Sequence, residues 1–168
     1  MSDTVNRQLV LIAGESSTGK SASLINLPNH ERVMYLNCEA GKNLPFKNKF
    51  KTFVITDPMQ VMEAFDHAQG NKAYDVIVID TLTFLMDMFE SNYVLPSTNT
   101  MQAWMQYGQF FKTLMQEKVA SSDKAVLVLA HTRAEHDEKA MDIKTAVPIK
   151  GSLKNNGVEA FEESALAA

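Results

Sequence analysis

Gly14 to Ser21 reads GESSTGKS, which satisfies G-x-x-x-x-G-K-[ST], and the apolar run QLVLIA stands directly before it. That spacing serves the holding of a polyphosphate. A glycine-bearing turn presents successive backbone N–H groups to an anion, and the amino end of the following helix adds its dipole. Gly19 lets the backbone approach the phosphates closely, Lys20 reaches the β- and γ-phosphates, and the Ser21 hydroxyl suits a magnesium ion. The candidate nucleotide contacts are Gly14, Glu15, Ser16, Ser17, Thr18, Gly19, Lys20, Ser21 and Ala22. A Ser/Gly-rich turn with a solvated lysine is the bland alternative, and the strand before and helix after favour the phosphate reading.

Two carboxylates stand where such a site would need them. Asp80 closes the run VIVID, where a carboxylate can orient a water on Mg2+. It could equally cap a helix beginning at Thr81. Glu39 ends VMYLNCE, and phosphoryl transfer to water needs a group that orients the nucleophile. Spacing alone leaves Glu39 equally readable as a solvated loop residue.

The elements that must position these residues are five β-rich apolar runs: QLVLIAG (8–14), RVMYLNCEA (32–40), KTFVITD (51–57), YDVIVIDT (74–81) and KAVLVLAHT (124–132). Helical or loop segments separate them. The alternation predicts an α/β fold with a mainly parallel sheet of five or slightly more strands, covered on both faces. Ser21 to Leu27 reads as a short helix ended by Pro28. DPMQVMEAFDHAQG reads as a second, with Asp57 at its N-cap, Pro58 at N1 and Gly70 past its end. Over 100–120, Met101, Trp104, Met105, Phe111, Leu114, Met115 and Val119 recur at helical spacing and predict one amphipathic helix packed on the sheet.

Composition bounds the rest. At 168 residues and 45% hydrophobic content the chain, 1–168, is expected to be one domain. No apolar run approaches the roughly 20 residues that span a bilayer, and the polar start MSDTVNRQ has no signal-peptide core, so a cytoplasmic protein is expected. Cys38 is the single cysteine, which excludes an intrachain disulfide. The net charge of −4 means that any nucleic-acid contact must come from a local patch.

Taken together, the strand with GESSTGKS, then MYLNCEAG, VIVIDTLT and VLVLAHTRAE resemble the RecA-like P-loop ATPase core. They are most similar to small phage-borne RecA-like nucleotide-binding proteins grouped with single-strand annealing recombinases. The likeness spans roughly residues 8 to 135. It implies ATP and Mg2+ as ligands, Glu39 as catalytic base, Asp80 as the magnesium-associated carboxylate, and His131 with Thr132 as sensor of the γ-phosphate. It also implies that the strand at 125–130 lies between the first and fourth, that the protein forms homo-oligomers, and that it binds single-stranded DNA in a bacterial host's cytoplasm. His131 alone reads as readily as a hydrogen-bonded structural residue.

Residues 133–147 are polar and expected to form a mobile loop where relatives carry a DNA-contacting segment. Their mixed charge fits an ordinary solvated loop equally well. By position alone, the resemblance implies that Lys150 and Lys154 could reach a neighbouring subunit's γ-phosphate, as paired lysines do in related filaments. Lys42, Lys47, Lys49 and Lys51 interleave with Phe46 and Phe50, a pattern suited to a single strand by stacking and charge, and also common on plain surfaces. Lys42, Lys47, Lys49 and Arg133 are the candidate DNA contacts. The chain is short beside the fuller family, and its FEESALAA ending, within an expected tail over 159–168, resembles a bacterial protease-recognition tail or a truncation; annealing, loading or DNA-linked ATPase activity is expected over strand exchange. A nucleotide or small-molecule kinase and a nucleotide-switched assembly protein are the alternatives. The kinase is disfavoured because Arg7, Arg32 and Arg133 are the only arginines.

Overall fold

The computed structural model describes residues 8–137, 142–146 and Lys150. Five strands form one parallel sheet: β1 (Leu9–Gly14), β2 (Val33–Asn37), β3 (Lys51–Val54), β4 (Val76–Asp80) and β5 (Ala125–His131), in the order β1-β5-β4-β2-β3. The fifth strand does lie between the first and fourth. All residues of β2 and β4 are buried, as expected for central strands of a sheet covered on both faces.

Strand alternation sorts the core into two layers. Met34, Leu36, Ile77, Ile79, Val126 and Val128 face one way and pack under the helices α1 (Met59–Ala68), α2 (Leu82–Phe89) and α3 (Thr100–Lys112). Val33, Tyr35, Val76 and Val78 face the other way, against Leu24 and Phe50. Leu24 belongs to the short segment Ser21–Asn26, which is a 3-10 helix. α1 begins at Met59 with Pro58 at its N-cap, one residue later than the sequence implies; the Asp57 carboxylate accepts from the Met59 N–H at 2.9 Å, and Gly70 takes a φ of +69° past the end.

Two expectations are corrected. The single amphipathic helix over 100–120 is α3 followed by a π-helical stretch, Thr113–Val119. A π turn winds fewer degrees per residue than an α turn, so the apolar stripe after Thr113 does not extrapolate straight back to the start. Phe111, Leu114, Met115 and Val119 are buried as predicted. Met101 and Met105 are 78% and 71% exposed, and Ala103, Tyr107 and Phe110 take the inner face instead. The polar segment expected to be a mobile loop over 133–147 contains two strands, β6 (Arg133–Asp137) and β7 (Asp142–Ala146), paired antiparallel. The ladder bonds of such a pair are made by the backbone, so polar side chains do not exclude it. Lys154 and the expected tail at 159–168 lie outside the described residues.

Candidate nucleotide-binding site

The parallel registers bring the chemistry to one edge. Gly14 pairs with His131, Asp80 with Leu129, and Asn37 with Asp80, so the carboxyl ends of β1, β5, β4 and β2 finish side by side. Ligands of open α/β sheets bind at this edge.

The loop after β1 curls through a φ of 65° at Ser17 and +85° at Gly19, the second of which glycine adopts without strain. A Cβ at Gly14 would come within 2.8 Å of the Thr18 hydroxyl oxygen. Lys20 lies along the inside of the curl, and its ammonium donates to the carbonyls of Gly14 at 2.9 Å and Glu15 at 2.6 Å. The Thr18 hydroxyl donates to the Glu15 carbonyl at 2.8 Å. A cavity of about 340 Å³ opens above. Loop residues from Ser16 to Ala22 line it, with Tyr35, Glu39, Asp80 and His131 at its base and Lys42 to Pro45 across one side.

Asp80 is buried at the foot of this cavity. Its Oδ2 accepts from the Ser21 hydroxyl at 2.9 Å and from the Tyr35 hydroxyl at 2.5 Å, while its Oδ1 has no hydrogen-bond partner among the described residues. Burial holds its carboxyl above the ordinary range, against the pull of the Tyr35 and Ser21 hydrogen bonds. Burial, and then the Asp80 carboxylate, push the Tyr35 hydroxyl up as well. The helix-capping task that Asp80 could have served falls to Thr81, whose side chain accepts from the Phe84 N–H at 3.3 Å.

This donor set fits a hydrated divalent cation. The Ser21 hydrogen points to Asp80, which leaves the oxygen lone pairs for a metal, and the buried Oδ1 of Asp80 is short of a donor that a metal-bound water would supply. Ser21 and Asp80 would therefore hold Mg2+, Asp80 through water.

Glu39 is the second carboxylate on the cavity wall, and its side chain is 11% exposed. Its Oε1 lies 3.5 Å from His131 Nε2 and its Oε2 lies 3.3 Å from Lys42 Nζ. Buried Asn37 fixes the turn that carries it: the Asn37 amide oxygen accepts from the Glu39 N–H at 3.0 Å, and its amide nitrogen donates to the Lys42 carbonyl at 2.9 Å. His131 is positioned from α2, where the Thr83 hydroxyl accepts from the His131 N–H at 2.9 Å and the Phe84 ring meets the imidazole edge-on at 5.4 Å. The Thr132 N–H donates to the Gly14 carbonyl at 3.0 Å, which ties the end of β5 to the start of the loop.

The four candidate DNA contacts separate. Lys42 sits at the cavity beside Glu39. Lys47 and Lys49 border an open groove with Asn29, His30, Glu31 and Asn48. Arg133 lines a third depression, where Lys150 pairs with Glu90 at 2.5 Å. Tyr35, Asn37 and Thr83 were not singled out from the sequence. The only signal for Tyr35 is its parity, since it lies two positions before Asn37 on a strand whose neighbour ends in Asp80.

A phosphate loop of the nucleotide-binding type on a five-stranded parallel sheet flanked by helices defines a P-loop nucleotide-binding domain. The chain belongs to the AAA domain family, whose profile matches residues 6–160. No curated protein matches it. Among the described residues no helix is long and apolar enough to cross a membrane.

Proposed function

We propose that the protein binds ATP with Mg2+, hydrolyses it, and couples turnover to single-stranded DNA as an oligomer in phage recombination, annealing or replication. The observation that carries the ATPase reading is the convergence of Lys20, Ser21, Asp80, Glu39 and His131 on one cavity of about 340 Å³. The loop N–H groups and Lys20 bind and orient the phosphates. Glu39 stands off the loop and takes the proton of the attacking water, with Lys42 and His131 holding its two oxygens. His131 is then placed to register the γ-phosphate through the same carboxylate. Mg2+, when bound, supplies charge neutralisation at the phosphates.

The DNA reading is supported by the open groove where Lys47 and Lys49 lie beside the His30 ring. No arginine lines the nucleotide cavity among the described residues, which weighs against a kinase that must clamp a transferred phosphoryl group. ATP turnover measured with and without single-stranded DNA, beside a screen of nucleoside and sugar acceptors, tests the proposal. Stimulation by DNA with no acceptor phosphorylation is the expected result. Acceptor phosphorylation would replace it with the kinase.

A further inference from the structure

We infer that Tyr35 is a positioning residue for Asp80, an assignment that rests on the magnesium-nucleotide reading above. Tyr35 pairs with Val78 while Asn37 pairs with Asp80, so Tyr35 and Asp80 are diagonal neighbours on one face of adjacent strands. Tyr35 is 3% exposed, and its hydroxyl donates to Asp80 Oδ2 at 2.5 Å.

Packing fixes the ring that carries this hydroxyl. Phe50 stacks on it with ring centroids 5.9 Å apart and planes at 27°. Phe50 is itself held edge-on by Phe46 at 5.9 Å and meets the tilted His30 ring at 4.5 Å. Its neighbours on that side are thus rings, and the phenol has a defined place from which to donate.

The consequence falls on Asp80. Two hydroxyls, those of Tyr35 and Ser21, donate to Oδ2 and together fix the rotation of the carboxylate, leaving Oδ1 buried with no partner among the described residues. Ser21 makes one of these bonds while its oxygen lone pairs stay available to the cation, and Tyr35 makes the other from a packed ring. Tyr35 therefore helps to hold the carboxylate in place beside Ser21. Groups that orient metal-site ligands commonly govern metal affinity by about 10- to 100-fold.

Tyr35→Phe removes the hydroxyl and keeps the ring and its stacking. Binding of a fluorescent ATP analogue is measured across Mg2+ concentration, with EDTA as the metal-free baseline and a thermal melt to verify folding. The expected result is a rise of about tenfold in the Mg2+ midpoint, with metal-free nucleotide affinity unchanged. A midpoint within about twofold of wild type in the folded variant overturns the assignment, and any larger rise supports it. Mg2+-independent binding by the wild-type protein would remove the magnesium-nucleotide reading and this inference with it. An unchanged midpoint in the variant alone sinks only Tyr35. If Tyr35→Phe does not fold, Phe50→Leu loosens the stack with the hydroxyl retained: a raised midpoint supports the role, and an unchanged one overturns it.

Discussion

Lys20 carries the charge on which the nucleotide reading turns. Its ammonium already bonds two carbonyls of the loop, so it lies inside the curl where phosphate oxygens would compete for it. Lys20→Ala is expected to abolish hydrolysis and weaken ATP binding while the circular-dichroism melt stays near that of wild type. Wild-type turnover in a folded Lys20→Ala protein would sink the whole reading. Glu39 calls for a different pattern, because a base acts on the attacking water and contributes little to ground-state binding. Glu39→Gln should bind ATP and Mg2+ near normally and hydrolyse at least about 100-fold more slowly. Equal losses of binding and turnover would make Glu39 structural.

Cys38, next to Glu39, gives a pH test that needs no ligand. Burial, reinforced by the Asp80 and Glu39 carboxylates, pushes its thiol up to about 12. The unfolded thiol ionises near about 8.5. Between those values the unfolded chain has released a proton that the folded chain keeps, so this group's contribution is fully present below about 8.5 and is lost as pH rises toward 12. A thiol reagent at pH 9 should label Cys38 only after denaturant is added. Rapid labelling of the folded protein would show the side chain to be accessible.

At the scale of elements, the register of α3 and the π-helical stretch after it decides which side chains stabilise the sheet. Phe111 is fully buried between the helices and the sheet, whereas Met105 lies 71% exposed. Phe111→Ala should cost about 3–5 kcal/mol in denaturant unfolding, the usual range for emptying a buried aromatic site. Met105→Ala should change stability by no more than about 0.5 kcal/mol. Comparable losses from the two would show that the apolar face is turned the other way. In the same layer, Thr83 of α2 accepts from the His131 N–H, so the helices hold a site residue as well as the core.

At the scale of the molecule, an acidic chain must bind nucleic acid through a local surface, and the groove of Lys47 and Lys49 sets two lysines beside the His30 ring. Affinity for single-stranded DNA should fall with salt along a shallow slope, each phosphate contact adding roughly −0.7. Lys47→Glu combined with Lys49→Glu should weaken DNA binding and leave ATP affinity in DNA-free protein unchanged. Lys42→Glu should act instead on turnover, because it removes the cation 3.3 Å from Glu39 and places a second negative charge there. If DNA neither binds at low salt nor alters the ATPase rate, and ATP does not change the protein's size in solution, the recombination reading falls and the ATPase alone stands.

The phosphate loop, Asp80 and the five strands were legible in the chain itself, since each is a local signal: a spaced glycine and lysine, a carboxylate closing an apolar run, a β-rich stretch between breakers. Whether Glu39 faces the loop was not legible, because that depends on β2 lying beside β4 and on the Asn37 turn that aims it. The pairing of Tyr35 with Asp80 was likewise invisible, being set by strand register across 45 positions of chain. Lys42 and Lys47 look alike in sequence and part company in space, one at the nucleotide cavity and the other on an open groove. The chemistry available is written in the chain, because residue type and local spacing decide what can hold a phosphate. The tertiary structure decided which groups meet, because parallel strands far apart in the chain bring their carboxyl ends to one edge only once the sheet has formed.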